Sequence, residues 1–217
     1  MNYLMLCTSV LSIGSDTTTP HGMAVQKLLS ALRRDYEFCV SPTALQDLNF
    51  GRMLAMSNGV PWIDDLDRLI STASSNKVFE ITEETAVIGG EVKAKIAERC
   101  IPKKIAEYRK WPACIQNWVI AATSQRLGLS EGDILLCALA IQHQATLLTA
   151  KKAFGLFREV IPSLTVIQIA QDGSVSTKQL SHCHVAANRK MGGLLPHGKE
   201  ATMATETSNY AKNYDCS

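Results

Sequence analysis

Two carboxylates stand close to helix starts. Asp47 follows the start Ser41-Pro42, and Asp133 lies in the first turn after Ser130. A third, Asp16, sits in a polar stretch near the N-terminus. The chain opens MNYLMLCTSVLS, so Cys7-Thr8-Ser9 interrupts an apolar run. A nucleophilic Cys7 would need a histidine or another group to lower its pKa. Nothing in the sequence places His21 or His143 beside it. His182, Cys183, His184, His197 and Cys216 fit no zinc-finger spacing.

The most basic stretch is VKAKIAERCIPKKIAEYRKW, residues 92–111. Lys103, Lys104, Arg109 and Lys110 could hold RNA phosphates, with Tyr108 and Trp111 stacking on bases. The ordinary alternative is a solvated helix face with its aromatics turned inward.

These side chains need elements to position them. Tyr3 to Cys7 is apolar throughout, as in a strand buried on both faces of a parallel sheet. SIGSDTTTPHG reads as a loop. Val25, Leu28, Leu29 and Leu32 mark a helix. Glu37 to Val40 is a second strand, and Ser41-Pro42 starts a helix with Leu45, Leu48 and Ala55 inward. WIDDLDRLIS is an amphipathic helix, with Ile63, Leu66, Leu69 and Ile70 inward and its aspartates in solvent. Lys77 to Ile81 is a third strand. Thr82 caps a helix carrying Ile88, Val92 and Ile96. Residues 102–130 are mostly helical in pattern, and Ser130 caps a further helix. Ala145 to Thr149 and Leu164 to Ile169 are the last strands. The alternation predicts an α/β three-layer sandwich with a mainly parallel central sheet over residues 1–170. Residues 171–217 are polar and read as a loosely ordered C-terminal tail.

Bulk properties narrow the function classes. The 217 residues are 46% hydrophobic, enough for one real core. A net charge of +2 gives no general pull toward nucleic acid or membrane. Seven scattered cysteines, with no C-x-x-C pair, point to buried thiols in a reducing, cytoplasmic setting. The first basic side chain is Lys27, so the apolar N-terminus lacks the positive region of a signal peptide. No window offers the ~20 apolar residues of a spanning helix, so no membrane contact is expected.

Several segments, in order, resemble PIN domains. LMLCTSVLS resembles their first strand, where an aspartate stands at the place of Cys7. FCVSPTALQDL resembles the second strand and following helix, with its carboxylate at Asp47. VFEITEETAVIGGEV resembles the strand and helix midway through that fold. LSEGDILLCALAIQHQATLLTAKKAF resembles the segment that places an aspartate at a helix start, here Asp133, and ends its strand Thr-x-Asp, here Thr149-Ala150-Lys151. The resemblance covers about residues 1–170 and is nearest to toxin ribonucleases of the VapC type. It implies a PIN-like fold and a Mg²⁺- or Mn²⁺-dependent endoribonuclease site. Asp47 and Asp133 would be the catalytic, metal-binding acids, and Ser9 and Thr149 would support them. RNA, an antitoxin-like protein and a second copy in a homodimer are the implied partners.

Two of the four acidic positions are changed. Cys7 is a soft ligand that suits zinc or copper rather than magnesium. Lys151 brings a positive charge where a cation would sit. At an effective dielectric near 20, like unit charges ~5 Å apart repel by about 3 kcal/mol, and a divalent ion doubles that. Lys151 either replaces the metal, its ammonium lying between Asp47 and Asp133, or is a solvated lysine at a helix start; Asp16 is either a substitute ligand for an ion or an ordinary turn former. The expectation is a PIN-family, toxin-like protein with an eroded site and weak or absent catalysis. The alternatives are an active Mg²⁺/Mn²⁺ endoribonuclease using a substitute acid, and a non-catalytic interaction module.

Overall fold

A computed structural model describes residues 2–59, 63–100, 115–120 and 123–170. At the centre is a five-stranded sheet, all parallel, in the order β3-β2-β1-β4-β5. Its strands are β1 (Tyr3–Leu6), β2 (Glu37–Val40), β3 (Lys77–Val78), β4 (Thr146–Thr149) and β5 (Val166–Gln168). In register, Leu4 pairs with Phe38 on one side and Thr146 on the other, so β1 is central.

The side-chain alternation of a strand explains the three layers. On β1, Leu4 and Leu6 face one way and Met5 the other, and all three are buried. The Leu4 face is covered by α1 (Thr8–Ser15), α2 (Pro20–Leu32), α3 (Pro42–Ser57) and α4 (Ile63–Ser74), through Val10, Val25, Leu48 and Leu69. The Met5 face is covered by α5 (Glu83–Cys100), α6 (Glu131–Gln142) and α7 (Gly155–Val160), through Val92, Ile96, Cys137, Leu139 and Phe157. The expected α/β/α sandwich is the one observed.

Four local expectations need correction. The first strand ends at Leu6, and Cys7 is the N-cap of α1. SIGSDTTTPHG is not a single loop, because its first four residues finish α1 and its last three begin α2. Val10, Leu11 and Gly14 are buried along that helix, and this packing outweighs the modest helix preference of serine and glycine. The third strand is Lys77–Val78 rather than Lys77 to Ile81. It lies at the sheet edge with β2 as its neighbour, and Phe79 N donates only a long 3.4 Å bond to Val40 O. Within 102–130, the described part is no α-helix. It holds a 3₁₀ turn at Ile115–Asn117 and an antiparallel bridge between Val119 and Arg126.

Candidate functional site

The order of the strands locates a crevice. From β1 the chain moves to β2 on one side, while β4 lies on the other. The C-terminal ends of β1 and β4 therefore form the switch point at which open parallel sheets place their ligands. Cys7, Thr8 and Ser9 follow β1 there, and Ala150 and Lys151 follow β4. Hydrogen bonds tie the two ends together. Cys7 N donates to Leu148 O at 3.0 Å, and Ala150 N donates to Ser9 Oγ at 3.3 Å. Thr149 is fully buried, and its Oγ1 accepts from Lys151 N at 3.1 Å, fixing the turn that presents Lys151. Ser9 and Thr149 thus hold the crevice walls.

Two more helices begin close to one another. Ser41 caps α3 by accepting from Ala44 N, and its hydroxyl shares a 2.8 Å bond with that of Thr43. Ser130 caps α6 in a reciprocal box: Asp133 N donates to Ser130 Oγ, and Ser130 N donates to Asp133 Oδ2 at 2.8 Å. A methyl placed on Gly132 would meet Ser130 Oγ at 3.6 Å and Thr43 Cβ at 3.8 Å, so the first turns of α3 and α6 abut.

Asp133 and Lys151 come together. The Lys151 ammonium donates to Asp133 Oδ2 at 2.8 Å and to Oδ1 at 3.0 Å. The Asp133 side chain is 7% exposed and that of Lys151 42%. Asp133 Oδ2 also accepts from Ser130 Oγ at 2.9 Å. Both oxygens of this carboxylate are therefore engaged by donors.

Asp47 does not share the ammonium. One expectation put Lys151 between the two acids, yet among the described residues its ion pair is with Asp133 alone. Asp47 lies on the second turn of α3, where its Oδ2 accepts a 3.4 Å hydrogen bond from Thr8 Oγ1. The Lys151 backbone N donates to Thr149 Oγ1, and its side chain reaches the first turn of α6. Thr8 was not singled out in the sequence. The available signal was its place beside Cys7, two residues past the end of the strand.

The Cys7 thiol is buried with Met5 and Cys137 in the core beneath α6. Burial holds the neighbouring Cys137 thiol well above its ordinary pKa, and Asp133 and Cys7 add to the effect. Asp16 ends α1 and is exposed. Its Oδ1 accepts from Thr18 Oγ1 at 2.6 Å and Thr18 N at 3.1 Å, and these bonds lower its pKa. This is an Asx turn that leads the chain into α2. Lys103, Lys104, Arg109 and Lys110 lie outside the described residues, as does the tail 171–217.

The donor set does not suit a divalent cation. Among the described residues, no group of three or more His, Cys, Asp or Glu side chains could hold one. One of the two carboxylates is occupied by an ammonium, and the thiol at the end of β1 is soft and buried.

The same architecture is found in two solved complexes. One is VapBC2 from Rickettsia felis bound to a DNA fragment from their promoter, with TM-score 0.50 and 14% identity over 76% of this chain and 96% of that chain. The other is DNA-bound VapBC from Salmonella typhimurium, with TM-score 0.50 and 14% identity over 76% of this chain and 97% of that chain. The fold is PIN-like. No protein-family model and no curated protein matches the chain. At this identity the likeness is one of fold, so the chemistry must be argued from the side chains.

Proposed function

We propose that this is a PIN-fold protein of the toxin-nuclease type whose metal site has eroded, with weak or absent catalysis and a retained capacity to bind RNA or an antitoxin-like protein. The observation that carries this reading is the Lys151 ammonium on both oxygens of Asp133. A carboxylate held this way is a poor ligand for Mg²⁺ or Mn²⁺. The buried Cys7 thiol, in place of an oxygen donor, points the same way. The two solved neighbours are VapBC complexes, which supports a protein partner of antitoxin type. No helix among the described residues is long and apolar enough to cross a membrane.

The test is RNA cleavage with Mn²⁺, using the full chain and the Cys7→Asp, Lys151→Asp double variant. The parent should leave RNA intact while the variant gains cleavage, and Asp47→Asn in the variant should remove the gain. Parent cleavage that is lost with Asp47→Asn would overturn the eroded-site reading in favour of an active endoribonuclease. A low-salt gel shift of RNA by the parent supports retained binding. A blank shift together with capture of an antitoxin-like peptide would leave only the protein partner.

A further inference from the structure

Asp133 is nearly buried, and its charge needs a counter-charge. A lone carboxylate in such a position is costly unless it is paired and hydrogen-bonded. The chain supplies both. Ser130 contributes a backbone N–H and a hydroxyl, and Lys151 contributes the only ion pair Asp133 makes among the described residues. Lys151 is also held from its own backbone, through the buried Thr149 hydroxyl. Its side chain is 42% exposed, whereas that of Asp133 is 7% exposed. Thr8, the first residue of α1, donates a 3.4 Å hydrogen bond to Asp47 Oδ2.

We infer that Lys151 is the resident cation of this crevice: its tethered ammonium neutralises Asp133 and thereby excludes divalent ions, which would bind if it were removed. This inference deepens the eroded-site reading and rests on it. A tethered cation has a high effective concentration and does not depend on the ionic composition of the medium. An arriving Mn²⁺ would have to displace the ammonium and then face it at short range, where the repulsion is strong. With Lys151 truncated, Asp133 keeps its carboxylate and loses its one ion-pair partner among the described residues.

Calorimetric titration of the full chain with MnCl₂ tests this, using the parent, Lys151→Ala, Lys151→Arg, and Lys151→Ala combined with Asp133→Asn. The expected result is a specific Mn²⁺ affinity in Lys151→Ala at least tenfold tighter than in the parent. Lys151→Arg, which keeps the cation, should behave like the parent, and Asp133→Asn should abolish the gain. If neither the parent nor Lys151→Ala binds Mn²⁺, the resident-cation inference is overturned while the eroded-site reading stands. If the parent already binds Mn²⁺ and Asp133→Asn removes that binding, the eroded-site reading itself is overturned. Should Lys151→Ala not fold, Lys151→Gln takes its place. If both are unfolded without metal, recovery of the folded circular-dichroism signal with MnCl₂, but not with NaCl of equal ionic strength, supports the inference. Failure to recover overturns it.

Discussion

Asp133 serves two structural tasks at once, and its removal should show both. Its carboxylate closes the capping box of α6 by accepting from Ser130 N, and it accepts both bonds from the Lys151 ammonium. Losing a cap costs about 1 kcal/mol. Breaking a fully buried ion pair costs about 3–5 kcal/mol, but Lys151 is 42% exposed, so its released ammonium regains water. Asp133→Ala should therefore destabilise the fold by about 2–3 kcal/mol, read from urea midpoints at pH 7. Ser130→Ala removes the hydroxyl that caps α6 and also donates to Asp133 Oδ2, while leaving the Lys151 pair in place, and should cost about 1 kcal/mol. Equal losses in the two variants would mean that the Lys151 pair contributes nothing. At the same scale, the thiols of Cys7, Cys39 and Cys137 are buried. Burial, with Glu37 adding and Lys77 opposing, pushes the Cys39 thiol up to about 12. Cys39 and Cys137 should resist alkylation at pH 8 until urea unfolds the chain, as followed by mass spectrometry of tryptic peptides. Rapid labelling of Cys39 in the folded protein would contradict its burial.

At the scale of elements, the helices with clear caps and regular apolar spacing were legible. Ser41-Pro42 starts α3, Ser130 starts α6, and Val25 and Leu32 mark the buried face of α2. The first helix was not legible, because Ser12, Gly14 and Ser15 read as turn formers and only packing reveals their role. Gly14 is buried against α2, where an added methyl would meet Val25 Cγ1 at 3.3 Å. Gly22 is more constrained still. A methyl there would fall 1.7 Å from the backbone oxygen of Asp16, so the turn between α1 and α2 can close only over glycine. That turn is held by Asp16 and by Thr19, whose hydroxyl accepts from Gly22 N at 3.1 Å. Gly22→Ala should cost about 1–3 kcal/mol through forced backbone displacement, although alanine is the better helix former. Thermal melts of the full chain would measure this, and an unchanged or raised midpoint would show that the turn can relax. The position of Lys151 was legible only in part. Its charge and place after β4 are in the sequence, but which carboxylate it meets depends on how α3 and α6 pack on the sheet, which one-dimensional spacing does not display.

For the whole molecule, the parallel sheet was legible because β1, β2 and β4 carry apolar runs that only burial on both faces accommodates. The side-chain contacts on the Met5 side of the sheet were not, since they join residues far apart in sequence. Two of them, the His143 ring on Phe79 and the Lys93–Glu131 pair, give the fold a two-stage response to acid. His143, at the end of α6, stacks on Phe79 with ring centroids 3.8 Å apart and planes 7° from parallel. Burial, and then the nearby Lys77 charge, hold its pKa below the ordinary 6.5, against a weaker opposing pull from Glu84. The unfolded chain therefore takes up this proton more readily than the folded one. The His143 contribution is complete above pH 6.5 and declines as the pH falls through the folded pKa. Glu131 acts in a lower window. Burial alone would raise its pKa, but bonds from Lys93 Nζ at 2.6 Å and Ile115 N at 3.1 Å more than offset this and hold it below the ordinary 4.5. Its contribution is present above pH 4.5 and is lost as the pH falls through its lowered value. Urea midpoints measured from pH 7.5 to pH 3 should therefore decline in two stages. His143→Phe, which keeps a ring against Phe79, should flatten the upper stage and leave the lower. Glu131→Gln should lower the plateau and flatten the decline below pH 4.5, leaving the upper stage in place. A single transition that neither substitution alters would refute the assignment of both groups.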